Sequence, residues 1–258
     1  MGLSIFAWLG ATAIGVSLGL LGSGGSILTV PVLVYLVGQE EKLAIAGSLA
    51  IVGSIALAGS LPKLWNKQVE WKVLLVFAIP SMLGTYLGAT LATWVSGLMQ
   101  LTLFAFVMLL ASWRMLAPMA VSSQSQKHKI NWIIAPGGLA VGMITGLVGV
   151  GGGFLIVPAL VILGGLSMRN AVGTSLVIIA LQSFTGFWKY LHVLEQQGLI
   201  LDWHVIGVVT ALGVVGSIIG NSISNRVDQQ KLKKIFGLFL IVMAIYILIR
   251  TLPSVWPF

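Results

Sequence analysis

Two clusters of small residues, Gly22-Ser23-Gly24-Gly25-Ser26 and Gly149-Val150-Gly151-Gly152-Gly153, each interrupt an apolar run and precede a short apolar segment. Without a Cβ, the backbone there can take positive φ and come close to a ligand. A helix that starts at such a cluster presents N–H groups with no intrahelical partner and about half a positive charge. Two such starts brought together make a site for an anion. Ser23, Gly24, Gly25 and Ser26 in the first cluster, with Gly151, Gly152 and Gly153 in the second, are the candidate ligand groups. A plainer role, glycines that only let helices pack closely, explains neither the clustering nor its duplication.

Further polar groups follow each cluster. Ser48, Thr174 and Ser175 fall near the start of the next apolar segment, where their hydroxyls either complete an anion's hydrogen bonds or bond back to their own helix. Gln182 and Asn221 are amides within apolar runs, and an amide in lipid needs a partner, so both are expected to face the interior as interhelical ties or as pathway groups. Lys63 and Lys189 follow the first full span of each half, as snorkelling anchors or as charges that draw anions into a vestibule. Trp65, Trp71, Trp188 and Trp203 near the same ends fit an aromatic belt.

The elements that must position these residues come in two copies. Gly15, Gly19, Gly22, Gly24, Gly25 and Pro31 recur as Gly142, Gly146, Gly149, Gly151, Gly152 and Pro158 at a constant offset of 127, and Gly84 and Gly88 recur as Gly216 and Gly220 at 132. Those later pairs, four residues apart, read as close-packing faces. The chain divides into a first membrane repeat, 1–116, a polar Ser/Gln-rich linker, 117–131, and a second membrane repeat, 132–258. Of 258 residues 58% are hydrophobic and 8% charged. Runs near the roughly 20 residues that cross a bilayer occur at 43–61, 73–95, 98–116, 171–188, 203–223 and 235–249, with the broken segments at 3–37 and 132–164. The expected fold class is therefore an all-α polytopic membrane protein. No Lys or Arg precedes the first apolar run, so a cleaved leader is not expected.

Positive charge sets the topology. If the broken segments span, the halves are parallel and eight Lys and Arg lie inside against six outside. If each segment enters and returns to one face, the halves are inverted and eleven lie inside, leaving Lys42, Lys189 and Arg250 outside. The piece 27–37, 11 residues long, cannot cross a core of about 30 Å at about 1.5 Å per residue. Two inverted repeats, each a glycine-broken re-entrant or half-helix segment plus three transmembrane helices, are expected.

A glycine-x-glycine-glycine cluster, a short apolar run, a proline nine residues after the first glycine and then AVGTSL, duplicated in two halves, resembles the sulfite exporter TauE/SafE family of permeases. GLVGVGGGFLIVPALVILGG with AVGTSL is the more typical copy; the first half departs with Ala46-Gly47-Ser48 against Gly173-Thr174-Ser175. The resemblance implies movement of a small anion such as sulfite, a sulfonate or a related oxyanion across the cytoplasmic membrane. An anion channel or a non-transport membrane scaffold are the rival readings.

No enzyme is expected. The chain has no cysteine, no P-loop and no dinucleotide motif, and His128, His192 and His204 are scattered over predicted loops or a helix edge, so no cofactor, metal or catalytic set is called for. The net charge of +8 is spread over short loops and reads as a topology signal, not a nucleic-acid surface. The partners expected are a small anion and the lipid bilayer.

Overall fold

A chain surrounded by lipid must satisfy its backbone hydrogen bonds internally, and in these apolar runs the helix is the form that does so. The computed structural model describes residues 5–21, 24–116, 133–224 and 229–255; Ser23 and the 117–131 linker lie outside them. The first repeat contains α1 (Ile5–Leu21), α2 (24–36), α3 (Glu41–Trp65), α4 (Trp71–Leu91) and α5 (Gly97–Leu116). The second contains α6 (Ile134–Val148), α7 (Gly153–Ile162), α8 (Met168–Gln196), α9 (Trp203–Ser224) and α10 (Gln229–Val255). No strand occurs among the described residues. α2 is irregular, a 3-10 turn over Gly24–Leu28, one α turn over Thr29–Pro31 and a π turn over Val32–Leu36.

Among the described residues, five helices are long and apolar enough to cross a membrane: α3, α4 with its following turn, α8, α9 and the 234–252 stretch of α10. Six spans were expected. The remaining one is α5, a 20-residue helix over Gly97–Leu116. Helix ends run past the apolar cores because capped polar residues continue them. Asp202 Oδ1 accepts from the N–H groups of His204 (3.0 Å) and Val205 (3.1 Å) at the start of α9. Equivalent caps close α3 and α8: the Gln68 N–H donates to Lys63 C=O, and the Leu199 N–H to Leu194 C=O. The residue before each donor, Lys67 and Gly198, has positive φ. His192 lies within α8 and not in a loop, while His204, the second residue of α9, is at a helix edge as expected.

Close approaches at glycines fix the direction of four helix contacts. On α3 and α8, Gly53 lies against Ser183 and Phe184, Gly59 against Leu176, and Gly186 against Leu49, so these two equivalent helices run antiparallel. α1 runs parallel to α9, with Gly15 on Gly213 and Gly19 on Ser217, and α6 runs parallel to α4, with Gly142 on Ser81 and Gly146 on Thr85. α9 is parallel to α3, since Gly213 meets Ile55 and Gly47 meets Ile206. α5 and α10 pack on each other, Thr102 Oγ1 lying 3.0 Å from Thr251 Oγ1. Exchanging the two halves leaves this set of pairs unchanged.

Each broken segment folds back on itself. Gly10 on α1 lies against Val32 and Leu36 of α2, while Gly25 lies against Leu18; on the other side Gly137 lies against Leu163 and Gly152 against Thr145. Because α1 and α3 both run parallel to α9, residues 24–40 carry the chain back before α3 begins. Broken segments of each half therefore pack on a long helix of the other.

Glycine faces make these crossings possible. A Cβ at Gly142 would run into the Ser81 carbonyl, and one at Gly84 into the Leu139 carbonyl. The outer surfaces carry exposed Leu, Ile, Val and Phe, with Trp65, Trp71, Trp188 and Trp203 each at least 60% exposed near helix ends. Gly142→Ala is expected to lower the stability of the detergent-solubilised protein by about 1–3 kcal/mol through overpacking. Gly207→Ala, with nothing within 4 Å of the added Cβ, is expected to be neutral or slightly stabilising. Thermal unfolding of both variants checks this, and equal midpoints would contradict the crossing.

Candidate functional site

The second glycine cluster is a turn that only glycine adopts without strain. α6 ends at Val148; Gly149, Gly151 and Gly152 follow with φ of +75°, +69° and +62°. The Gly149 N–H donates to Thr145 C=O at 2.7 Å, closing α6. Gly152 then caps α7, its carbonyl accepting from the N–H groups of Leu155 (2.9 Å) and Ile156 (3.1 Å). The N–H groups of Gly153 and Phe154 stand ahead of that first intrahelical bond and point out of the helix start.

Side chains from two other helices engage the carbonyls of this turn, with a third helix behind them. Gln182 on α8 donates from Nε2 to Gly151 C=O at 2.7 Å. Ser81 on α4 donates to Gln182 Oε1 and so fixes which end of the amide faces the glycine. Ser48 on α3 places its hydroxyl between the carbonyls of Gly149 and Ile45, a residue of its own helix. A Cβ on Gly152 would meet Thr145 Oγ1 and Gln182 Nε2, and one on Gly151 would lie 2.6 Å from Val52 Cγ1 and 3.0 Å from Ser183 Oγ. The Gly149 and Gly151 carbonyls are thus engaged by side chains, while Thr145 Oγ1, its proton given to Val141 C=O, lies beside Gly152.

The first cluster is built differently. Gly24 and Gly25 open α2, and a Cβ on Gly25 would strike the Leu18 backbone of α1, so Gly25 is required for the hairpin's close approach. The positions equivalent to Thr145, Gln182, Ser183 and Ser81 are Leu18, Ile55, Ala56 and Gly213. At these positions the first half carries no polar side chain, so the clamp is not repeated there. Ser26 is fully buried, as is Thr29, whose Oγ1 finds no hydrogen-bond partner among the described residues. The start of α2 packs against α7, which brings the two hairpins together.

Not every candidate reaches this region. Ser175 donates back to Val172 C=O at 2.9 Å. Thr174 Oγ1 accepts from the Glu70 N–H at 3.0 Å, in a lock at the start of α8 where Asn170 Nδ2 donates to Glu70 Oε1 at 3.0 Å and Arg169 donates to the Gln68 amide oxygen. Lys63, half-buried, is in the last turn of α3, beside the start of α8. Lys189 sits towards the other end of α8, its Nζ 5.2 Å above the Tyr86 ring. The α9 backbone at Asn221 lies against Gly19. Sequence reasoning missed Ser81, Thr145 and Ser183; for Ser183 the one available signal was its place beside Gln182 in an apolar run. Among the described residues no group of three His, Asp or Glu is placed to hold a metal.

Comparison with known proteins agrees with this architecture. The model of the family described as sulfite exporter TauE/SafE matches residues 7–247. A "probable membrane transporter protein" of Xylella fastidiosa strain 9a5c is 32% identical over 248 residues, 93% of each chain. One of Haemophilus influenzae is 26% identical over 249 residues, covering 90% of this chain and 93% of the relative. Bacillus subtilis YunE, also called a probable membrane transporter protein, is 26% identical over 251 residues, 87% of this chain and 89% of its own. No solved structure matches. With the family match spanning both repeats and both hairpins, the chain belongs to the sulfite exporter TauE/SafE family of multi-pass membrane transporters.

Proposed function

We propose that this transporter is a permease of the cytoplasmic membrane that moves a small anion, sulfite, a sulfonate or a related oxyanion, by alternating access between two inverted halves. The observation that carries the reading is the meeting of the two glycine-broken hairpins, with the start of α7 clamped so that donors face the turn. An anion needs such donors and the positive end of a helix dipole. Buried polar side chains among the described residues are Ser, Thr and Gln, so recognition rests on neutral groups and suits a weakly charged ligand. The anion class itself comes from the family's description.

Inversion is supported by the antiparallel run of α3 and α8. If both cross the bilayer, equivalent helices that oppose each other belong to halves of opposite orientation, as in other transporters with a midplane site. Hairpins that enter and return to one face then give the eleven-to-three charge distribution. Rocking one half against the other would present the site to each side in turn.

Three measurements check the reading. The chain is free of cysteine, so single Glu40→Cys and Gln197→Cys proteins are expected to label from outside in intact cells, and Asn66→Cys only after permeabilisation. Labelling of Glu40→Cys and Gln197→Cys from opposite faces would contradict inversion. Gly152→Ala protein that purifies monodisperse is expected to lose the sulfite-induced thermal shift of the wild type; wild-type affinity in that protein would move the site elsewhere. If Lys63 and Lys189 draw anions in, Lys63→Gln and Lys189→Gln raise the apparent KM at low salt, and the effect fades at high ionic strength. Unchanged transport in both would leave them as anchors.

A further inference from the structure

We infer that the Ser183 hydroxyl is a direct donor to the transported anion at the start of α7, a role that rests on the anion-permease reading above. Serines in apolar helices normally bond back to a carbonyl one turn earlier. Ser54, Ser60, Ser112, Ser175 and Ser217 all do so here. Ser183 does not: it is fully buried, and its Oγ has no hydrogen-bond partner among the described residues. An unpaired hydroxyl in an apolar interior costs free energy unless something fills its bond.

Its surroundings say what kind of group fills it. Ser183 Oγ lies beside Gly151, 3.0 Å from where a Cβ would be, immediately before the cap of the 10-residue α7. Three nearby acceptors already have donors: Gly151 C=O is taken by Gln182, Gln182 Oε1 by Ser81 and Gly149 C=O by Ser48. Facing the turn are the Ser183 O–H and the N–H groups at the start of α7, beside Thr145 Oγ1, whose proton goes to Val141 C=O. The donors among them suit an electron-rich ligand. Ala56 at the equivalent position leaves the first half without this group, so the anion is held off-centre, on the side of the second hairpin.

The test is isothermal titration of sulfite and of methanesulfonate into purified wild-type, Ser183→Ala and Ser48→Ala proteins, with thermal unfolding of each in the absence of ligand. Ser183→Ala is expected to raise Kd about tenfold or more, the size of a hydrogen bond to a charged group. Its unfolding midpoint should stay unchanged or rise, because only an unpaired hydroxyl is removed. Ser48→Ala is expected to lower the midpoint, since its hydroxyl is bonded to the turn. Should Ser183→Ala fail to fold, Ser183→Cys keeps the shape with a weak donor, and the same loss of affinity is expected. Wild-type Kd in the serine-183 variant, with the wild type binding either probe, would overturn this inference alone. A wild type that binds neither probe would overturn the anion reading and the inference with it.

Discussion

A break in a helix inside an apolar interior exposes backbone groups that have no water to turn to, and the second glycine cluster is shaped by that constraint. Gly149, Gly151 and Gly152 make the break conformationally accessible. Gln182 and Ser48 then satisfy the carbonyls it exposes, and Ser81 holds Gln182 in the orientation that does so. Carbonyl satisfaction by side chains from α3 and α8, with α4 behind them, ties both halves to one turn. It also turns the carbonyls of Gly149 and Gly151 to the clamp.

Duplication supplied the frame and divergence the chemistry. Equivalent elements pair in the same way on both sides, so α1 on α9 repeats α6 on α4, and α3 meets its equivalent α8. Within that frame the contact between Ser81 and Gln182 is replaced, at the equivalent positions, by Gly213 against Ile55. At these positions the second hairpin is held by a hydrogen bond and the first by apolar packing.

Much of the fold was legible because its signals are local: apolar runs give spans, and glycine clusters within them give breaks. Gly84, Gly88, Gly216 and Gly220 read correctly as close-packing faces because their spacing alone places them on one side of a helix. The site was legible only in part. Gln182 announced itself, since an amide in an apolar run must find partners. Thr174 and Ser175 sit beside each other in sequence, yet one joins a lock with Glu70 and the other bonds to its own helix. Hydroxyl orientation is decided by neighbours from other helices, which spacing does not encode. Gly25 and Gly152 hold equivalent places, each against the preceding helix, at Leu18 and at Thr145. Ser183 was hidden because a serine in a helix is ordinarily self-satisfied; the exception appears only when its surroundings are in place.

The central claim is that an oxyanion sits at the start of α7, between the two hairpins. Selenite has the shape and charge of sulfite and scatters X-rays anomalously, so a crystal of the protein grown with selenite locates the anion directly. An anomalous peak within hydrogen-bonding reach of the Gly153 N–H and Ser183 Oγ is the result predicted. A peak at the helix ends near Lys63 or Lys189, with none between the hairpins, would contradict it.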